Sequence, residues 1–360
     1  IVFYGPRQWE SINRTVQAKM IDAHPFKRLF YHLFLPVGYK VADIRVDKRR
    51  PNLFWRALHL LSYLIVFRPL RDQIGLLYAK CCQTGGTPLS PDMIRLFQAM
   101  GINVTLSYGG SEIGWGSLHL GGDITFESSG SPAPRREIML SEDGEILIKG
   151  EGLFSGYHKD PEATQACMKG DWFCTGDFGY IDDMGHLIVI DKMADLRELA
   201  GGRKFSPQYA ETRLRFSPFI RDILVIGRED KEYPTAIINV DLDNVGRWAE
   251  ARHIRYTTIS DLSQKPEVIQ LIRKDIEKLN SHLPEWNRIR KFANLHKDFD
   301  PDEAELTRTR KMRRTFVEER YQGIVDAFYR GDSELTVEAP VTYRDGRRGT
   351  IKRTIQITTA

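Results

Sequence analysis

The sequence predicts an α/β protein: mixed sheets with helices over residues 1–191, then a smaller α+β unit over 192–332, then a β-hairpin over 333–360. Three observations predict it. Short apolar runs bounded by turn dipeptides mark strands in the first part, helical apolar spacing alternates with short strands in the second, and apolar/polar alternation begins beyond Gly331. Taken in order, Ser90 before Pro91 is an N-cap signal and predicts a short helix over 91–100. A strand over 102–106 follows and delivers Tyr108. Residues 145–148 and 187–190 read as strands because Asp143-Gly144 and Met184-Gly185 punctuate them. In the second part Ser206-Pro207 starts a helix, and 223–226 and Thr235–Val240 are apolar enough for strands. Pro266 opens a further helix with Val268, Ile272, Ile276 and Leu279 on one face. In the tail, Asp345-Gly346 between alternating runs predicts a hairpin turn, an added structural element to which no chemistry attaches.

Composition bounds the function. A chain of 360 residues can hold two domains with sizeable cores, and a net charge of +4 argues against a dedicated nucleic-acid binder. Cys81, Cys82, Cys167 and Cys174 show no C-x-x-C spacing, so neither a zinc site nor a disulfide framework is expected, and a reducing, cytoplasmic setting is. No secretory leader pattern opens the chain, and the longest apolar run, 57–67, is far short of the roughly 18–20 residues that span a bilayer. That run belongs to LFWRALHLLSYLIVF, residues 53–67, which lies between basic clusters at 48–50 and 68–71. A buried core helix is the preferred reading of it. The competing one is a peripheral segment resting on an anionic bilayer at the inner face of a membrane.

The stretch 171–211 is the richest in chemistry. Asp177, in Thr-Gly-Asp, follows a glycine that lets another group approach, and a carboxylate so placed can accept hydrogen bonds from a sugar diol. A nucleotide ribose is the natural candidate, and a polar turn the bland alternative. The same stretch holds a strand ending in Asp191-Lys192 and the Gly201-Gly202 loop leading into Ser206-Pro207.

This stretch resembles the end of the large domain of the adenylate-forming superfamily, which includes acyl-CoA synthetases, luciferases and peptide-synthetase adenylation domains. Four other segments are similar to the family's motifs in the family's order: GGTPLSP at 85–91, YGGSE at 108–112, GEILIKGEGLFSGYHKDPEAT at 144–164 and LTRTRKMRR at 306–314. The resemblance implies the C-terminal part of that large domain followed by a small mobile α+β domain. It also implies a two-step reaction: a carboxylate attacks the α-phosphate of ATP to give an acyl-adenylate and diphosphate, then CoA displaces AMP after the small domain rotates.

Residue by residue, the resemblance places Gly85, Gly86 and Thr87 on the adenine wall, and Tyr108, with Gly109 and Gly110, stacked on the base. It places Ser111 on the α-phosphate, Glu112 on magnesium, and Asp177 and Lys192 on the ribose. Gly201 and Gly202 would approach the pantetheine arm of CoA. Lys311 would be the catalytic lysine, since Lys311 and Arg314 keep the family's Lys-x-x-Arg spacing after Leu-Thr-x-Thr. A basic patch from Arg308 to Arg314 for nucleic acid or phospholipid is the competing reading of that run.

Three departures matter. Lys192 stands where the family has arginine, keeping the charge but losing the planar fork. Ala194 stands at the hinge, usually aspartate or lysine. No Ser/Thr/Gly-rich phosphate loop ending in lysine occurs anywhere in these 360 residues, and FYGPRQWES at 3–11 resembles a segment well inside the large domain of long-chain acyl-CoA synthetases. The chain is therefore expected to be a fragment without ATP–diphosphate exchange of its own. Gly150, Gly152 and Gly156 miss the dinucleotide fingerprint spacing and do not replace the loop. The Pro-Arg-x-Trp-Glu segment and RPLRDQIGL at 68–76 favour a long-chain fatty acid–CoA ligase. A medium-chain, branched or aryl acid–CoA ligase, or a non-catalytic AMP- or acyl-binding homologue, are the alternatives.

Overall fold

The structure is a computed structural model that describes residues 1–299, 303–307, 312–342 and 348–360. The chain divides into two compact units, Ile1–Asp195 and Leu196–Ala360. The boundary read from the sequence is 191/192.

The first unit begins with β1 (Val2–Phe3), α1 (Pro6–Ile21), α2 (Pro25–Val46) and α3 (Leu53–Ser62), which runs through a π-helical turn, Tyr63–Phe67, into α4 (Arg68–Gln73). β2 (Cys82–Thr84), α5 (Pro91–Ala99) and β3 (Val104–Leu106) follow, and β1, β2 and β3 form a parallel sheet. α5 is its central packing element, with Met93, Ile94, Leu96 and Phe97 all buried and the Trp9 ring of α1 edge-on to Phe97 at 5.0 Å. Gly38 lets α2 cross α5 closely, since a Cβ there would lie 2.6 Å from the Ala99 carbonyl. Arg95 on α5 fixes the crossing with a two-pronged bond to Asp43 on α2 at 2.7 and 2.6 Å. Ser90 precedes α5 as expected, but its hydroxyl is buried and makes no capping bond. Pro91 at the first helical position supplies the start signal instead.

Two antiparallel sheets complete this unit: β4 (Tyr108–Gly110), β5 (Gly114–Leu118) and β6 (Ser131–Pro132) form one, and β7 (Arg136–Leu140), β8 (Glu145–Gly150), β10 (Trp172–Ile181) and β11 (Leu187–Lys192) the other. Between β8 and β10 lie α6 (Pro161–Ala166) and β9 (Met168–Lys169), which pairs with β10.

The preferred reading of 53–67 as a buried core helix is overturned. Leu53, Phe54, Leu60, Leu61, Leu64 and Ile65 are all exposed, as are Phe26, Leu29, Phe30 and Leu33 of the neighbouring α2. The helical path is also longer than the apolar run: 53–73 is continuous, with a mean hydropathy of 1.2 over its most apolar stretch, and meets the length and composition of a bilayer-crossing helix. The π-helical turn forms the last part of the apolar run and carries the helix on into α4, beyond where that run stops.

The second unit contains β12 (Arg197–Leu199), β13 (Arg203–Phe205), α7 (Pro207–Leu214), β14 (Ile220–Ile226), β15 (Thr235–Val240), α8 (Leu242–Glu250), α9 (Ile259–Ser263), α10 (Pro266–Asn280), β16 (Lys291–Asn294), α11 (Arg314–Arg320), α12 (Gln322–Arg330), β17 (Glu334–Thr342), β18 (Arg348–Gln356) and β19 (Thr358–Thr359). Its sheet runs β14-β15-β16-β19. Every residue of β15 is buried because both faces are covered. One face packs on α10, whose buried residues are Val268, Ile272, Ile276 and Leu279, and the other on Val317, Ile324, Val325 and Phe328 of α11 and α12. α7 starts as the sequence predicts, with the Ser206 hydroxyl accepting from the Tyr209 amide at 3.0 Å. The tail is more than an addition: Ile355 of β18 is wholly buried in the second face, and β19 completes the sheet beside β16. The Asp345-Gly346 turn lies outside the described residues.

Candidate nucleotide site

β2 and β3 run in parallel, with Thr84 opposite Leu106, so the loops at their carboxyl ends emerge together. Ser107 donates its amide to the Thr84 carbonyl at 3.0 Å, and Gly85 lies so close to Ser107 that a Cβ would meet its carbonyl at 3.1 Å. The Gly85, Gly86 and Thr87 turn is thereby held against the strand that presents Tyr108. Gly109 allows β4 and β5 to close, since a Cβ there would sit 2.1 Å from the Gly114 carbonyl. Gly110 ends β4, and Ser111 and Glu112 form the turn between the two strands.

Asp177 reaches this corner through a bulge. Cys174 pairs with Leu147 and Phe178 with Glu145, so Thr175, Gly176 and Asp177 face a single residue of β8. Gly176 adopts φ +67°, and no atom lies within 4 Å of where its Cβ would be. Its necessity is thus the left-handed backbone. The Thr175 hydroxyl ties the bulge down, donating to the Ile146 carbonyl at 2.7 Å and accepting from the Asp177 amide at 3.1 Å.

The carboxylate so presented is 8 % exposed and meets two other predicted residues. The Tyr108 hydroxyl donates to Asp177 Oδ2 at 2.5 Å, and Lys192 Nζ, directly opposite on β11, lies 2.5 Å from Oδ1. Burial, then the Asp177 charge, pushes the Tyr108 phenol well above its ordinary range, so it stays a donor. An ionised carboxylate offers about four lone-pair positions, and two are used here. The remainder suits the two hydroxyls of a ribose.

Glu112 accepts from the Tyr157 hydroxyl at 3.0 Å, and its carbonyl accepts from the Phe154 amide at 2.8 Å. That hydrogen bond is the chief cause that raises the Tyr157 phenol. Tyr157 is the partner the sequence reading missed, although it stands in the 144–164 segment quoted there. No group of three or more His, Cys, Asp and Glu side chains among the described residues could cage a metal. One accessible glutamate nevertheless fits magnesium, which takes one or two carboxylates and completes its shell with water and phosphate oxygens.

A half-buried histidine supports β3. His119 Nδ1 donates to the Leu106 carbonyl at 3.0 Å, and its Nε2 accepts from the Thr125 amide at 3.4 Å and sits 3.2 Å from the Ser128 hydroxyl. Burial pushes its pKa down to about 4, because the charged imidazolium would lose water there, and the nearby His186 adds to the effect. With the folded value below the ordinary one, this contribution to stability is present above about pH 6.5 and is lost as pH falls toward 4. Urea unfolding of the first unit should therefore show a falling midpoint over that range, and His119→Asn, which keeps a donor toward Leu106, should flatten it.

Gly201 and Gly202 lie in the second unit, in the β12–β13 turn, with φ of +81° and +73°. Ala194 sits in a single 3₁₀ turn, Met193–Asp195, that ends the first unit. Lys311 lies outside the described residues. On either side of it, Leu306 and Met312 form an isolated antiparallel bridge, and Arg314 Nη2 donates to both carboxylate oxygens of the buried Glu211 of α7 at 2.7 and 2.8 Å.

A family profile described as "AMP-binding enzyme C-terminal domain" matches residues 195–333. Over 331 residues, 91 % of this chain and 54 % of the relative, the sequence is 28 % identical to the long-chain-fatty-acid–CoA ligase FadD15 of Mycobacterium tuberculosis. It is 29 % identical to long chain acyl-CoA synthetase 1 of Arabidopsis thaliana, covering 90 % of this chain and 51 % of that one. The chain spans about half the length of the curated relatives it matches. Among solved structures, the adenylation domain of a Mycobacterium chelonae carboxylate reductase matches with a TM-score of 0.60 at 20 % identity, over 91 % of this chain and 46 % of that one. The corresponding domain from Segniliparus rugosus, in complex with AMP and a co-purified carboxylic acid, matches with 0.57 at 18 %, over 92 % and 47 %. At these identities the two structures establish the fold.

Proposed function

We propose, from a chain that belongs to the adenylate-forming superfamily, that it carries the adenosine-holding wall and the C-terminal domain of an ATP-dependent ligase joining long-chain fatty acids to CoA. The observation that carries this reading is the meeting of Asp177, Tyr108 and Lys192 beside the Gly85–Thr87 turn. An acid–CoA ligase needs a site that holds the adenosine of ATP, acyl-adenylate and AMP alike. Asp177 holds the ribose diol, Lys192 pairs with Asp177 and orients it, and Tyr108 presents its ring to the base while its hydroxyl is anchored. Ser111 donates to the α-phosphate. Glu112, steadied by Tyr157, holds magnesium, which when bound offsets charge on the phosphate oxygens. Lys311 supplies a further positive charge to the carboxylate and α-phosphate, and Gly201 and Gly202 line the path of CoA.

The long-chain preference is supported by the relatives' names, and an acid-dependent diphosphate-release assay across a chain-length series, on the protein that carries this chain, tests it. A maximum at medium-chain or aryl acids would replace the substrate class. No release with any acid, while AMP still binds, would favour a non-catalytic AMP-binding homologue.

Glu112→Gln keeps the acceptor for Tyr157 but loses the charge. It should lower acid activation at limiting magnesium, and excess magnesium should restore much of the rate. Failure of any magnesium concentration to help would remove Glu112 from the metal.

The exposed faces of α2 and α3 belong to the same reading. Apolar residues flanked by Lys27, Arg28, 48–50, Arg56 and Arg68 suit the surface of an anionic bilayer, from which fatty acid is drawn at the inner face of the membrane. Leu61→Glu with Ile65→Glu should abolish co-sedimentation with anionic liposomes without unfolding the chain, because both side chains already face solvent. Unchanged co-sedimentation would exclude this surface.

A further inference from the structure

We propose that Cys167 and Cys174 form a thiol modification site, at which a low-molecular-weight disulfide such as oxidised glutathione converts the pair into an intramolecular disulfide. Their spacing in the chain suggests nothing, but the fold places them opposite each other. β9 and β10 pair Phe173 with Met168 and Trp172 with Lys169, and one step further the Cys174 amide donates to the Cys167 carbonyl at 2.8 Å. Cys167 is the C-cap of α6 and gives its own amide to Ala163, so the opposition is one-sided, yet this hydrogen bond and the electrostatic influence of one thiol on the other bring the pair close enough for the ~4.4–6.8 Å Cα separation that disulfides bridge. Both thiols are free and half-buried.

The exchange balances as two thiol–disulfide steps. The Cys167 thiolate attacks one sulfur of the oxidised tripeptide and displaces one glutathione. Cys174 then attacks the Cys167 sulfur and displaces the second. The protein loses two electrons, the reagent gains them, and the two thiol protons leave with the two glutathiones. Burial, then the Glu145 charge, raises the Cys174 thiol, which favours Cys167 as the first attacker.

The location ties this chemistry to the nucleotide corner. Cys174 precedes the bulge that presents Asp177. Cys167 Sγ donates to the Thr164 carbonyl at 3.1 Å, and the Thr164 hydroxyl accepts from the Tyr157 amide at 2.8 Å, so drawing the sulfur away acts on the turn that steadies Glu112.

The test incubates the full chain, natively folded, with excess oxidised glutathione. Free thiols should fall from four to two, tryptic peptides 160–169 and 170–192 should be linked, and dithiothreitol should reverse both. Cys174→Ser should trap glutathione on Cys167, while Cys81→Ser with Cys82→Ser should leave the cross-link intact. Four remaining thiols, glutathione on both cysteines without a link, or a link to Cys81 or Cys82 would overturn the site. Hydrogen exchange at the Tyr157 amide should quicken in the cross-linked form. Unchanged exchange there would overturn the connection to Glu112.

Discussion

Replacing Asp177 with alanine, in the protein that carries this chain, should slow both acid activation and thioester formation by on the order of a hundredfold or more. Each bond from a ribose hydroxyl to an ionised carboxylate contributes roughly 1.5–3 kcal/mol, and the diol makes two. Under the proposed reading both steps suffer, because Asp177 lies in the first unit and would hold the adenosine whichever chemistry is under way. The alanine variant also leaves the buried Tyr108 hydroxyl without its acceptor, at a cost of about 1–3 kcal/mol in stability. Asp177→Asn separates the two effects. Its amide oxygen still accepts from Tyr108, so folding should survive, while the charge facing Lys192 and the diol is gone. Single-turnover rates for the two steps, with AMP affinity measured alongside, check this. An Asp177→Asn variant with unchanged AMP affinity would move the ribose elsewhere.

Lys311→Ala should divide the two steps instead. If Lys311 neutralises carboxylate and α-phosphate only in the adenylating arrangement, its loss should lower acid activation by on the order of a hundredfold or more. Thioester formation from supplied acyl-adenylate should proceed at close to the normal rate. The residues on either side of Lys311 are held by the Leu306–Met312 bridge and the Arg314–Glu211 pair, neither of which uses the lysine, so the alanine variant should fold. Equal losses in both steps would make the lysine structural, or mean that the two half-reactions share one arrangement.

Much of the candidate site was legible in the sequence. Glycines that must adopt positive φ or admit close backbone, such as Gly176 and Gly109, leave a mark that no other residue can substitute for. The helix of Val268, Ile272, Ile276 and Leu279 was legible for a similar reason: one covered face imposes a period on the chain. Ser90 looked the same as Ser206 in sequence, yet only Ser206 caps its helix, because a hydroxyl's partner depends on its rotamer and surroundings.

What the sequence by itself determined, then, is the elements it marks by period or punctuation, a boundary near 191 and the residue types of the candidate site, because local periodicity and backbone constraint are written in neighbouring residues. Tertiary structure alone decided which of those residues meet. Tyr108 and Asp177 are 69 positions apart, and only the bulge in β10 turns the carboxylate toward the phenol. The same holds for Cys167 and Cys174, where the end of α6 meeting β10 makes a pair that spacing does not announce. It holds for 53–67 as well: an apolar stripe states that a face avoids water, while whether it packs on a core or stays open depends on what the rest of the fold brings against it.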